Sequence, residues 1–121
     1  MGKRGRRRGA AEAPRAAEAE YRSPDSEMTL ALRAAMTPAT RRDYAEVRSG
    51  SPLSGEDAWQ RSVEFLFERL AVRWEIAGAE PIVRQKELLG RYRFAATDER
   101  RWIRDALREH LAEHFPDVEA P

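Results

Sequence analysis

The densest apolar stretch of the chain, Trp59 to Ile76, constrains its fold more than any other feature. At the 100° step of an α-helix, Trp59, Val63, Leu66, Phe67, Leu70 and Trp74 fall within an arc of about 100°, the width of a stripe that faces a core. The spacing predicts one helix over about 56–77. Phe65, Val72 and Ile76 fall nearly opposite and form a second apolar stripe. That stripe needs cover from the same chain's short N-terminal helices, from a second copy (self-association) or from a protein partner. Between the stripes Asp57, Glu64, Glu68 and Glu75 make an acidic ridge joined by Arg61, with Arg69 and Arg73 on the other flank.

The remaining signals are read as helical too. Ser26 is a candidate cap for a short helix in which Met28, Ala31, Leu32, Ala35 and Met36 recur at spacings of three and four. Thr37 followed by Pro38 reads as a stop and a new N-cap, with a second short helix to about Arg48 that presents Tyr44 and Val47. Residues 49–55 are a loop by composition, and Ser54 with Asp57 fits a variant capping box. Gly78 ends the long helix, and Pro81 opens another over about 81–94 with Ile82, Leu88, Leu89 and Tyr92 on one face. Thr97 caps a final helix bounded by Pro116, with Asp98 and Glu99 in its first turn. Trp102, Ile103, Ala106, Leu107, His110 and His114 share one side of it, and Arg101, Arg104 and Arg108 lie on its back. The expected fold class is therefore all-α: a small helical bundle of three main helices plus two short N-terminal ones, one helical domain over 27–116.

Residues 1–26 read differently. Between Gly2 and Glu20 there is no large apolar side chain, so nothing offsets the entropy of ordering this backbone, and a disordered Arg/Gly/Ala-rich arm is expected. Lys3, Arg4, Arg6, Arg7 and Arg8 stand within it, interleaved with glycine. Residues 1–22 carry 7 basic and 3 acidic groups, and residues 23–121 carry 15 and 18, so arm and body have opposite signs. Residues 117–121 are expected to fray. The length of 121 residues bounds the chain to one small domain, and the absence of cysteine excludes disulfide scaffolds and Cys-ligated metal centres. No apolar run approaches the roughly 20 residues of a membrane helix and no apolar stretch follows the basic cluster. No membrane partner and a cytoplasmic location are expected. The basic residues are 20 Arg and 2 Lys, beside 20 Ala, a bias typical of a GC-rich bacterial genome.

One motif suggests chemistry. His110-Leu111-Ala112-Glu113-His114 matches H-x-x-E-H, in which two histidines one turn apart hold zinc and the glutamate activates water. A catalytic zinc needs a third protein ligand, for which only Asp117 and Glu119 follow, and a histidine in the last turn of a helix is favoured by the dipole alone. His110 and His114 are thus expected in core and capping roles, as weak metal candidates only. No serine stands in a G-x-S-x-G context and no phosphate-cradling glycine loop occurs, so neither enzyme activity nor a cofactor is expected.

Nucleic acid is a candidate partner on two grounds. The arm resembles phosphate-tracking arms in composition, and residues 81–108 hold 8 basic and 4 acidic groups, with cations beside aromatic rings in Arg91-Tyr92-Arg93-Phe94 and Arg100-Arg101-Trp102. The expected function is a small non-enzymatic accessory or adaptor protein that binds a protein partner through its helix faces, its arm touching nucleic acid or an acidic surface. The alternative is a DNA- or RNA-binding regulator in which the helical pair 81–114 makes the contact, with Arg101, Arg104 and Arg108 as its candidate face.

Overall fold

A computed structural model describes residues 17–49 and 55–121. The described chain opens as an antiparallel hairpin of β1 (Glu18–Arg22) and β2 (Met28–Arg33), in register from Glu18 opposite Arg33 to Arg22 opposite Thr29. Ser23-Pro24-Asp25-Ser26 makes the turn. Proline presets the second position, and the Ser26 amide donates to the Ser23 carbonyl at 2.9 Å. Asp25 Oδ1 accepts from the Ser23 hydroxyl at 2.6 Å and from the Glu27 amide at 3.0 Å. Ser26 adopts a left-handed φ of 63°, the conformation that follows a type I turn in a bulged hairpin loop.

Helix α1 (Pro38–Ser49) begins as its sequence suggests, with Thr37 Oγ1 accepting from the Thr40 amide at 3.0 Å. Helix α2 (Gly55–Leu70) runs without a loop into β3 (Ala71–Ile76), which pairs antiparallel with β2 to give the sheet order β1-β2-β3. Leu32 faces Ala71 and Ala31 faces Arg73, so Val72 is the extra residue of a bulge. Gly78, at a φ of 82°, turns the chain back. Ile82 then exchanges both backbone hydrogen bonds with Trp74, each at 2.9 Å. Helices α3 (Gln85–Arg93) and α4 (Thr97–His114) complete the fold.

One face of the sheet is the floor of the core. Leu30, Leu32 and Trp74 are fully buried there, and Val63, Leu66, Phe67 and Leu70 of α2 cover them together with Ile103, Leu107 and Leu111 of α4 and Leu88 of α3. Phe67 meets the Trp74 ring edge-on at 5.7 Å and stacks on Tyr92 at 5.0 Å. On the other side of α2, Tyr44 of α1 stacks on Phe65 at 6.1 Å. The opposite sheet face is charged. Arg73 crosses the small Ala31 to pair with Glu20, and its Nε donates to Glu75 at 2.8 Å.

The fold is therefore mixed α/β, with four helices and a three-stranded antiparallel sheet among the described residues, and the all-α helical bundle expected from the periodicity is corrected. One expected helix, the short one after Ser26, and the last part of the long one are strands. Met28, Leu30 and Leu32 alternate with Thr29, Ala31 and Arg33, and Trp74 and Ile76 alternate with Arg73 and Glu75, so each segment also satisfies the period of two; tertiary pairing selects it. The expected helix 56–77 ends at Leu70 and the helix 81–94 begins at Gln85. Phe65, Val72 and Ile76 consequently share no helix face. Phe65 packs under Tyr44 with Arg69 4.6 Å over its ring, Val72 sits in the bulge, and Ile76 pairs with Met28 at the sheet's end. The arm's expected inner boundary at 26 also moves, since residues 18–22 are β1. Lys3, Arg4, Arg6, Arg7 and Arg8 lie outside the described residues, as does the loop 50–54.

Because Leu30 is fully buried at the centre of the middle strand while the Arg33 side chain is exposed, the two positions report on the sheet separately. Leu30→Ala is expected to cost about 2–5 kcal/mol of unfolding free energy, and Arg33→Ala no more than about 0.5 kcal/mol. Urea unfolding of both variants measures this, and equal midpoints would contradict the strand assignment.

Candidate functional site

Two constellations stand out, one buried and one open. The buried one centres on His110, which is fully enclosed although it is a histidine. Its Nε2 lies 2.6 Å from the Arg33 carbonyl, which only accepts, so Nε2 carries the proton. Nδ1 then accepts from the Tyr21 hydroxyl at 2.8 Å. The neutral ring thereby satisfies both nitrogens and ties α4 to β1 and to the end of β2. Desolvation lowers the imidazole below its ordinary value, outweighing the Arg33 carbonyl, which raises it; the neighbouring His114 also lowers it. Burial, then the charges of Glu113 and Glu109, push the Tyr21 phenol up to about 12, so it remains a donor.

This geometry accounts for the H-x-x-E-H segment. The His110 and His114 rings lie 4.7 Å apart, but both His110 nitrogens are engaged within the protein, and Glu113 is exposed. Among the described residues no three His, Asp or Glu side chains gather as a metal site. Tyr21 and the Arg33 carbonyl were not foreseeable partners, because both depend on the hairpin that the helical reading overlooked.

The open constellation is a cleft of about 590 Å³ between α2, α3 and α4, lined by Trp59, Gln60, Tyr92, Arg100, Arg101 and Arg104, with Thr97 and Asp105 at its edge. The first two turns of α4 supply the arginines. Arg104 lies 4.4 Å over the Trp59 ring and Arg100 5.2 Å over Tyr92. The Arg100 guanidinium also donates to the Arg93 carbonyl at 2.7 Å, which leaves its Nε buried without a partner among the described residues, as is the Nε of Arg104. Phe94, 90 % exposed, is the C-cap of α3 and follows Arg93, whose carbonyl Arg100 binds.

Of the arginines singled out in the sequence, Arg101 and Arg104 line this cleft, and Arg104 and Arg108 meet at the Pro121 backbone oxygen, 3.4 and 2.6 Å away. Residues 117–121, expected to fray, lie against α1 and α4: Asp117 pairs with Arg41 at 2.9 Å, Glu119 with Arg48 at 3.2 Å, and the Glu119 carbonyl accepts from the Tyr44 hydroxyl at 2.6 Å. Of the basic and aromatic pairs, Tyr92 is core and Trp102 packs partly buried against the core, whereas Phe94 is free. The acidic groups first read as one ridge are dispersed: Glu64 accepts from Arg93 Nε at 3.0 Å and Glu75 from Arg73. Glu99 is bound by Arg91 at 3.1 Å and caps α4 by accepting from the Ala96 amide at 3.0 Å, a role expected of Thr97. Those contacts, Arg91 first, hold its carboxyl below the usual range. No helix among the described residues is long and apolar enough to cross a membrane.

Compared with protein-family models, curated proteins and solved structures, the chain matches none.

The His110 tie has a pH signature. Its folded value lies below the 6.5 of a free imidazole, so between the two the unfolded chain binds more protons and stability rises with pH. The contribution is fully present above about pH 6.5 and is lost as pH falls through the folded value. Chemical unfolding at neutral and mildly acidic pH is expected to show this loss, and His110→Gln should reduce the difference between the two. An unchanged difference in that variant would remove His110 from the account.

Proposed function

We propose that the protein is a non-enzymatic adaptor of the cytoplasm whose α2–α3–α4 cleft receives an acidic segment of a partner protein, while its basic arm contacts nucleic acid or an acidic surface. The observation that carries this reading is the cleft itself, where Arg100, Arg101 and Arg104 meet one lining carboxylate among the described residues, Asp105, while the exposed Phe94 follows Arg93, whose carbonyl Arg100 binds. Guanidinium groups held over rings keep donors for a carboxylate, and an exposed aromatic beside such donors is the composition of an interface anchor. The Tyr92 ring is buried beneath Arg100 and leaves no face on which a base could stack.

Less supports the regulator reading of α3 and α4. The residues of α4 that face solvent include Asp98, Arg101, Asp105, Arg108, Glu109 and Glu113, a mixed-sign surface that would set carboxylates against phosphates. Its opposite side, from Ile103 to Leu111, is engaged in the core.

A labelled peptide of Glu-Glu-Leu repeats, titrated by fluorescence anisotropy, tests the cleft. Binding is expected, with Arg100→Gln and Arg101→Gln together weakening it by about tenfold or more. Phe94→Ala should weaken it comparably while leaving the melting temperature unchanged, since the ring is exposed. If the peptide does not bind, and duplex DNA does in a manner that the same arginine variants abolish, the regulator reading replaces this one.

A further inference from the structure

Arg100 and Arg101 carry charge that the fold leaves unmatched. In the last turn of α3, Arg91 is paired with Glu99 at 3.1 Å and Arg93 with Glu64. Arg100 instead gives a donor to the neutral Arg93 carbonyl at 2.7 Å, and Arg101 makes neither an ion pair nor a hydrogen bond among the described residues. Asp105, the one lining carboxylate among them, pairs with neither. Arg104 stands apart from this surplus, because its guanidinium lies 3.4 Å from the Pro121 backbone oxygen.

Tyr92 supplies a further donor. It lines the cleft at 4 % exposure, its ring stacked on Phe67 at 5.0 Å and covered by the Arg100 guanidinium at 5.2 Å. Its hydroxyl makes no hydrogen bond among the described residues, and a polar side chain so enclosed calls for a partner. Burial, offset in part by Arg100, pushes the phenol above its ordinary value, so the group stays protonated. Arg100 and Arg101 leave α4 about 100° apart, and Tyr92 comes from α3, so an anion in the cleft meets donors from different directions.

A carboxylate has two oxygens in one plane, and a single guanidinium engages both. A phosphate monoester has three, with a charge of about −1.5 to −2 at neutral pH, and so can take both guanidinium groups and the phenol together. We propose that the anionic group received by the α2–α3–α4 cleft is the phosphoryl group of a phosphorylated side chain, so that phosphorylation of the partner's segment switches docking on. The proposal rests on the cleft reading above and adds which group occupies the cleft. A nucleic-acid backbone offers the same oxygens as a long run of diesters, which would pass over Asp98, Asp105 and Glu109 on the exposed side of α4. A monoester presents its charge at one point and avoids them.

The test uses the full chain and three labelled peptides of one leucine-flanked sequence that differ at a single position, which holds phosphoserine, glutamate or serine. Fluorescence anisotropy is expected to show the phosphoserine peptide binding about tenfold tighter than the glutamate peptide, and the serine peptide not binding. Arg101→Gln, at an exposed position, should erase that preference without lowering the melting temperature, and Tyr92→Phe should reduce it while keeping the stacked ring. From about pH 7.5 to about pH 5 the phosphoserine affinity is expected to fall, because the second phosphate ionisation near pH 6 is reversed, and the glutamate affinity to hold. Equal binding of phosphoserine and glutamate, both lost on Arg100→Gln with Arg101→Gln, overturns the phosphoryl assignment and leaves the cleft reading intact. Absence of binding by all three peptides, or binding indifferent to both arginine substitutions, removes the cleft reading and the proposal with it. Inorganic phosphate that binds as tightly as the phosphoserine peptide overturns the partner segment as its source. Duplex DNA that binds more tightly than that peptide through the same arginines overturns the protein partner.

Discussion

Trp74 is the residue around which the layers are assembled. Its backbone lies opposite Leu30 on one side and exchanges two hydrogen bonds with Ile82 on the other, which covers part of the far edge of β3. Its ring meets Phe67 of α2 at one contact and carries the Arg91 guanidinium 5.0 Å from its centre at another. A residue that is fully buried and touches the sheet, α2 and α3 at once fixes their mutual positions, and truncation of such a ring typically costs about 3–5 kcal/mol. The direct junction of Leu70 and Ala71 adds to this constraint. With no loop between α2 and β3, the helix that covers Trp74 leads straight into the strand that bears it.

His110 provides the corresponding tie at the other edge of the sheet, on the same core face. Burying an imidazole without partners would be costly, and two well-directed hydrogen bonds remove that cost while specifying which strands lie beneath α4. Tyr21 is the first large apolar side chain after the polar N-terminal stretch, and it is through this residue that β1 acquires a reason to be ordered. Polar contacts of this kind define register, because a slip of one residue would turn the Tyr21 hydroxyl away from the ring it serves.

Helix positions α1, α2 up to Leu70 and α4 were legible because their caps and periodicity agree, as at Thr37-Pro38 and in the stripe Ile103, Leu107 and His110. The sheet was not. Met28, Leu32 and Met36 satisfy helical spacing while Met28, Leu30 and Leu32 satisfy alternation, and periodicity by itself does not separate the two. The signal that would have separated them is Pro24-Asp25 flanked by serines, a type I turn sequence that makes sense only between two strands. Trp74 was a sharper trap, since its phase relative to Trp59 and Leu70 is helical by coincidence across a junction with no loop. The arginine cleft was half legible: Arg101 and Arg104 could be placed on one face of α4, but Trp59 reaches them only through the packing of α2. Phe94 stood in a run of cations that read as nucleic-acid chemistry, and its exposure followed from the turn at the end of α3.

The abundance of arginine takes on a structural meaning once the rings are placed. Arg41, Arg48, Arg69, Arg91, Arg100 and Arg104 each lie between 4.4 and 5.9 Å from an aromatic centre. A lysine would leave these rings without a planar partner, and its flexible stem would lose more freedom for each hydrogen bond formed. Guanidinium groups already laid on rings have given up much of their rotamer entropy in folding, so a ligand that meets Arg100 and Arg104 has less ordering left to oppose it. The same restraint limits what they can recognise. Edges remain available to a carboxylate while Arg104 takes one face of Trp59 and Arg100 and Phe67 take those of Tyr92, and that asymmetry favours an anionic chain over a stacked base at this site.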